Sequence, residues 1–436
     1  LRVPVLIAGG GLAGLACARE LQAAQVPYLL VEREAEPGGL CRSVRSGPYT
    51  FDYTGHFLHF KNPRTRSWVQ SLPGLRLKER RRHAAIYSRG GYSEYPYQEN
   101  TYGLPTATAR ENLLGYLEAA LQTRFHGKDA AEAEDFLEWS RRAFGLGITK
   151  NFMEPYNAKL WKFPLDRLTT HWMGRFVPRP QVKAVVEGAL RVRPSAAGYN
   201  ATFLYPEGDG IQALPRALAQ GLPNLACGTA LRSLDLGRRE ARLSNGARVG
   251  YDRLVSTLPL PTLAALTEDL PAPLRRQARG LKATSVVSLN YGLRRPDPVP
   301  YSWVYFPEPR FDFHRAGCLS ACVAESAPKS GSTLYVEVSY RGPKPDVRAL
   351  GRRVLGSLKS IGWIKSERDV AVRVDLDLPG AYVVYDAHRE KTVPGLLAHF
   401  RSGGVESAGR WGLWEYGSME SALEQGRQAA VRVRGR

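Results

Sequence analysis

Hydrophobic positions change their spacing along the chain, and the changes mark its elements. The chain opens with an apolar run of strand length, Val3-Pro4-Val5-Leu6-Ile7-Ala8. A helical stretch over residues 12–25 follows, and then a second apolar run, Tyr28-Leu29-Leu30-Val31. Helical spacing returns over 109–124 and 131–144, inside a segment of about 106–192 that reads as a helical subdomain. Residues 230–236, 241–243 and the pair Arg248-Val249 alternate like short antiparallel strands, with Ser244-Asn245-Gly246 as a hairpin turn. Residues 253–259 read as a buried strand. Beyond them, 285–291, 301–306 and 333–338 are β-rich, and a helix is expected over 345–361. Gly409-Arg410 should end a strand, and Ser418 should begin the last helix.

Chemistry enters at the first turn. Gly9-Gly10-Gly11-Leu12-Ala13-Gly14 is the G-x-G-x-x-G pattern between a strand and a helix. Gly9 allows the tight turn, Gly11 lets the backbone approach a pyrophosphate, and Gly14 lets the helix pack on the strand. The helix start points unpaired N–H groups at phosphate. Glu32, 18 residues after Gly14, ends the second strand, where its carboxylate can accept from ribose hydroxyls. An acid there disfavours a 2′-phosphate and argues against NADP. The next segment, Glu36-Pro37-Gly38-Gly39-Leu40-Cys41-Arg42-Ser43, suits a loop that lays backbone amides and one guanidinium along the diphosphate of a longer cofactor, FAD.

Composition narrows the class without deciding it. A chain of 436 residues with 43% hydrophobic and 23% charged content has room for two or three domains and a large core. No repeat or low-complexity segment appears. No apolar run has membrane-spanning length and no basic-then-apolar leader opens the sequence, so the expected compartment is the cytoplasm. Five scattered cysteines argue against a disulfide framework. His314, Cys318 and Cys322 recur every four residues, but no fourth ligand stands near them and no metal site is expected. The formal charge of +20 is spread as arginine, with no nucleic-acid-binding signature, so no nucleic-acid partner is expected. The expected partner is a small molecule; monomer and homodimer both remain compatible.

The Gly38-Gly39…Arg42 segment resembles the flavoprotein superfamily of amine oxidases, protoporphyrinogen oxidases and UDP-galactopyranose mutases. The resemblance implies an α/β fold: a Rossmann-like FAD-binding domain, a parallel sheet with a β-meander, interrupted by a helical subdomain and by an antiparallel-sheet substrate domain. Residues 1–75, 206–265 and 395–436 would form the first, 76–205 the second and 266–394 the third, whose sheet roofs the flavin. FAD would be bound noncovalently, because no Cys or His stands in a context that demands attachment. Besides the glycines and Glu32, Arg33, Leu40, Arg42 and Leu231 are expected at the cofactor. At its ring end stand Gly409, Arg410, Ser418 and Met419, with Gly55 and His56 beneath; Gly55 would let the backbone approach the ring.

Tyr156-Asn157-Ala158-Lys159-Leu160-Trp161, followed by Arg175 and Arg179, is similar to the mutase pattern of Tyr-x-x-Lys-x-Trp before two arginines. The similarity implies that Tyr156 and Trp161 face a nucleobase and that Arg175 or Arg179 reaches phosphate. Tyr382 and Tyr416 would join them at the substrate, and His56, Arg175, Arg179 and Tyr416 would be nearest the chemistry. Two departures stand out. Leu281-Lys282-Ala283-Thr284 occupies the place of a second mutase arginine, with Lys282 partly replacing its charge, and Ser418 replaces an acid. The leading expectation is therefore an FAD-dependent oxidoreductase, with hydride transfer from an anionic small molecule to flavin N5. The alternative is a non-redox isomerase of a nucleotide sugar that uses reduced flavin N5 as nucleophile. A flavin-binding protein without catalysis is the third reading.

Overall fold

The computed structural model describes residues 1–127, 129–173, 177, 179–192, 201–208 and 210–435. Two sheets, each of seven described strands, carry the molecule. In the first sheet Arg2–Ala8 is central, parallel to Tyr28–Val31 on one side and to Arg248–Ser256 on the other. Alternation along the central strand serves both faces: Val5 and Ile7 enter one core, Leu6 and Ala8 the other. Helices Leu12–Ala23 and Met419–Arg434 cover the first face. Glycine lets them touch, since a Cβ on Gly426 would lie 2.0 Å from the Ala13 carbonyl oxygen. Val405–Ser407 adds to the C-terminal half of Arg248–Ser256, so one sheet is drawn from three separated parts of the chain.

The second sheet runs Val370–Val383, Ala283–Leu293, Ser332–Tyr340, Arg315–Cys318, Trp303–Tyr305, Ala84–Ser88 and Gly91–Glu94. Every pairing is antiparallel except Trp303–Tyr305 with Ala84–Ser88. Helices Thr106–His126, Phe136–Ile148, Glu154–Trp161 and Val182–Leu190 build a separate core around Tyr97, Phe144, Ile148 and Trp161, and Tyr305 and Tyr382 of the second sheet pack against it. The fold is α/β, as expected.

Several boundaries differ from the sequence reading. The first helix stops at Ala23, because Gln25 takes a left-handed φ of 56°. The second predicted helix starts later, at Phe136, where the Asp135 side chain caps it; Ala130–Glu132 is a separate 3₁₀ turn. Arg248–Ser256 is one strand where two pieces were expected, because the Leu1 carbonyl accepts from Gly250 at 2.8 Å and keeps the middle extended. Gly409–Gly412 is a short helix and the strand before it ends at Ser407. Residues 84–94, read within the helical part, are two strands of the second sheet. No described helix is long and apolar enough to cross a membrane.

Candidate active site

The glycine turn is built to leave space on one side and none on the other. Gly9 has φ +103°, and a Cβ there would lie 2.3 Å from Thr257 Oγ1. A Cβ on Gly14 would lie 1.9 Å from the Gly9 carbonyl oxygen, whereas one on Gly11 would meet nothing within 4 Å. The helix that follows has no side-chain cap and no acid in its first turn, so its first N–H groups face that space without an anionic partner. The Gly38 N–H donates to the Gly10 carbonyl at 2.8 Å, which joins the two glycine loops. Glu32, 7% exposed, accepts from the N–H groups of Gly10 at 2.7 Å and Glu34 at 2.9 Å. Arg42 donates from Nε to the Gly39 carbonyl at 2.8 Å and lies 4.6 Å over the Tyr53 ring. Arg33 points outward and pairs with Glu34. Leu231 is buried at the start of a strand that the Thr229 N–H ties to the Glu32 carbonyl. An open cradle at Gly11, an uncapped helix start and a buried acid fit a dinucleotide.

At the other end Gly409 (φ +80°) brings the chain against the first helix, its Cβ position 2.9 Å from that of Ala13. Arg410 donates to the carbonyls of Ala381 at 2.6 Å and Gly417 at 3.5 Å, and lies 4.7 Å over the Tyr416 ring. Ser418 caps the closing helix, accepting from Ser421 at 3.1 Å, and Met419 forms its first turn. His56 Nδ1 lies 3.2 Å from the Thr54 carbonyl oxygen. The residue keeps some accessible surface but sits deep in the molecule, and that burial pushes its imidazole down to about 4. Gly55 has a reason the sequence did not show: a Cβ there would lie 2.6 Å from the Trp303 ring.

An aromatic wall stands against Arg410, which lies 5.3 Å over the Tyr382 ring. Tyr382 and Tyr416 stack at 6.4 Å and 13°; the Trp161 ring meets Tyr382 at 6.0 Å and Trp172 at 5.1 Å. Trp161 is 1% exposed, with Nε1 donating to Asn157 Oδ1 at 3.1 Å, so in this state it is a closed part of the wall. Tyr156 is buried between Phe152 and Tyr305. Arg179 lies apart from this wall's contacts, exposed and paired with Asp129 at 2.9 Å. Arg175 lies outside the described residues. Lys282 is bound to Asp386 at 2.6 Å, which neutralises the charge expected of it, and Thr284 donates to the Trp161 carbonyl.

Cations that the sequence reading did not single out stand here instead. Arg315 lies 3.9 Å over the Trp303 ring and donates from Nη2 to the Tyr382 hydroxyl at 3.2 Å and to Glu337. Arg82 lies 5.1 Å over both Trp303 and Tyr95. Among the described residues neither Arg82 nor Arg410 forms an ion pair, and Nε of Arg82, Arg315 and Arg410 and Nε1 of Trp303 are buried without an acceptor. The one legible signal was Glu337, an acid inside the apolar run 333–338. The arrangement presents convergent donors and aromatic faces to an anionic, ring-bearing ligand.

The family described as flavin-containing amine oxidoreductase matches residues 12–434. A reduced UDP-galactopyranose mutase superposes with a TM-score of 0.90 and 26% identity, over 99% of this chain and 96% of that one. A putrescine oxidase with putrescine bound shares the fold, at a TM-score of 0.68 and 15% identity over all of both chains. A lycopene-forming phytoene desaturase of Pantoea ananas is 29% identical over 157 residues, which are 35% of this chain and 29% of that protein. With a dinucleotide cradle in place and a family match that spans almost every residue, the chain belongs to the flavin-containing amine oxidoreductases.

Proposed function

We propose that the protein is a flavoenzyme that binds FAD noncovalently and isomerises a nucleotide sugar without net oxidation, in the manner of a UDP-galactopyranose mutase. The observation that carries this reading is the set of guanidinium groups around the aromatic wall. Arg82 and Arg410 lack a carboxylate partner among the described residues, and Arg315 stands beside Tyr382. An amine substrate, as a cation, would be repelled there, whereas a diphosphate is attracted. The likeness to a mutase across nearly the whole chain supports the same reading.

In this reading Gly11, the start of the first helix and Arg42 would hold the diphosphate of FAD, Glu32 would hold its ribose, and Arg410, Ser418 and Met419 would hold its ring end. The chemistry a bound reduced flavin would supply is a nucleophilic nitrogen for the anomeric carbon. Tyr156, Trp161, Tyr382 and Tyr416 enclose the base and sugar and exclude water. Arg315 and Arg175 hold the leaving diphosphate; Arg179 does so only by giving up Asp129. His56, neutral at pH 7, can accept or return a sugar hydroxyl proton. Residues 1–75, 206–265 and 395–436 form the cofactor unit, roofed by 266–394, and the enzyme works in the cytoplasm.

Oxidation of an anionic small molecule is the second reading, favoured by Leu281-Lys282-Ala283-Thr284 in the place of a second mutase arginine and by Ser418 in that of an acid. The two separate on adding UDP-galactose to dithionite-reduced and to oxidised holoenzyme. Ring-contracted product from the reduced form alone, with no lasting flavin oxidation, supports isomerisation; a holoenzyme that does not bind UDP refutes it.

A further inference from the structure

We infer that Glu337 is a positioning residue that holds Arg315 beside Tyr382 of the aromatic wall, so that the guanidinium receives the phosphate of an anionic substrate; this rests on the reading above. Glu337 and Arg315 sit directly opposite each other on neighbouring antiparallel strands, and Glu337 is 0% exposed. The carboxylate engages Arg315 through Nη2 only, the same nitrogen that donates to Tyr382. Among the described residues Nε is buried without an acceptor, and Glu337 Oε1 is buried without a donor. The pair thus spends one guanidinium nitrogen on orientation and leaves the others to a ligand.

A buried ion pair is a poor source of stability, because apolar residues of the same size serve as well or better. Its placement against the Trp303 face and beside the Tyr382 hydroxyl is better explained by orientation. His314 packs on the same carboxylate, with Nε2 at 3.6 Å from Oε2, and donates its backbone N–H to the Glu337 carbonyl at 3.1 Å. Burial pushes the His314 ring down to about 4, while Arg315 beside it holds Glu337 down at about 2 despite burial. The histidine is therefore a neutral prop and the arginine's counter-charge is fixed.

The test uses flavin-loaded protein and three probes, UDP, uridine and inorganic pyrophosphate, with binding read by calorimetry and by perturbation of the flavin spectrum. Glu337→Leu should raise the Kd for UDP by about 10- to 100-fold while leaving uridine unchanged. Glu337→Gln, which keeps an acceptor for Nη2, should recover most of the loss. The Arg315→Met/Glu337→Leu double variant should regain the melting temperature lost in Glu337→Leu without regaining UDP affinity, which separates folding from orientation. Wild-type affinity for UDP in Glu337→Leu overturns the inference and leaves the nucleotide-sugar reading intact. Equal loss of uridine and UDP also overturns it, since general damage would then explain both. A wild type that ignores UDP yet binds pyrophosphate in a Glu337-dependent way refutes the nucleotide and upholds Glu337. A wild type that binds neither overturns both.

Discussion

His314 shows how a single buried side chain sets a property of the whole protein. It has no exposure, and burial favours its neutral form down to about pH 4, whereas in the unfolded chain it takes a proton near pH 6.5. The unfolded state therefore binds more protons between those values. The contribution of His314 is complete above pH 6.5 and is lost as the pH falls towards 4, at no more than about 1.4 kcal/mol per pH unit. Melting temperatures at pH 7 and pH 5 should fall further for the wild type than for His314→Gln; equal falls would refute this assignment. The same scale explains why the expected substrate residues were only partly legible. Tyr156, Trp161, Tyr382 and Tyr416 were readable as types near a motif, and Arg42 and Arg410 as partners of glycines. Arg315 and Arg82 carried no local mark, because what distinguishes them is the burial and the missing acceptors that distant strands create.

At the scale of elements, the opening strand, turn and helix were visible because their signals are local. An apolar run, glycines at fixed offsets and an acid at the end of the next strand need no distant partner. The structure divides the glycines by role, and the division is testable. Gly14→Ala places a Cβ against backbone that cannot yield and should destabilise the apoprotein by about 1–3 kcal/mol, lowering its melting temperature. Gly11→Ala meets nothing within 4 Å among the described residues and should leave the apoprotein's melting temperature unchanged while reducing the flavin retained on purification, read from visible absorbance. Identical behaviour of the two variants would contradict the cradle. Boundaries were less legible than cores. The helix over 136–148 begins where Asp135 can cap it and not where apolar spacing begins.

Across the whole molecule, the site exists because separated stretches converge. Val405–Ser407 completes the first sheet and Met419–Arg434 covers the first helix, burying Leu423 and Val433, each worth about 1.5–3 kcal/mol when fully buried. Removing residues 405–436 should yield protein that retains no flavin and exposes the face of Leu12–Ala23, detected as lost visible absorbance and aggregation. A soluble, yellow truncation product would show that the cradle stands without its cover. The sequence by itself determined the cofactor class and the α/β plan, since the glycine turn, Glu32 and the helix that follows act over a few covalent neighbours. Only the tertiary structure decided which cations keep a counter-charge. It joined Lys282 to Asp386 and Arg179 to Asp129, and it left Arg82 and Arg410 without a counter-charge among the described residues. The charge available to a substrate depends on which acids lie within a few ångströms, and those distances are set by packing between strands and helices far apart in the chain.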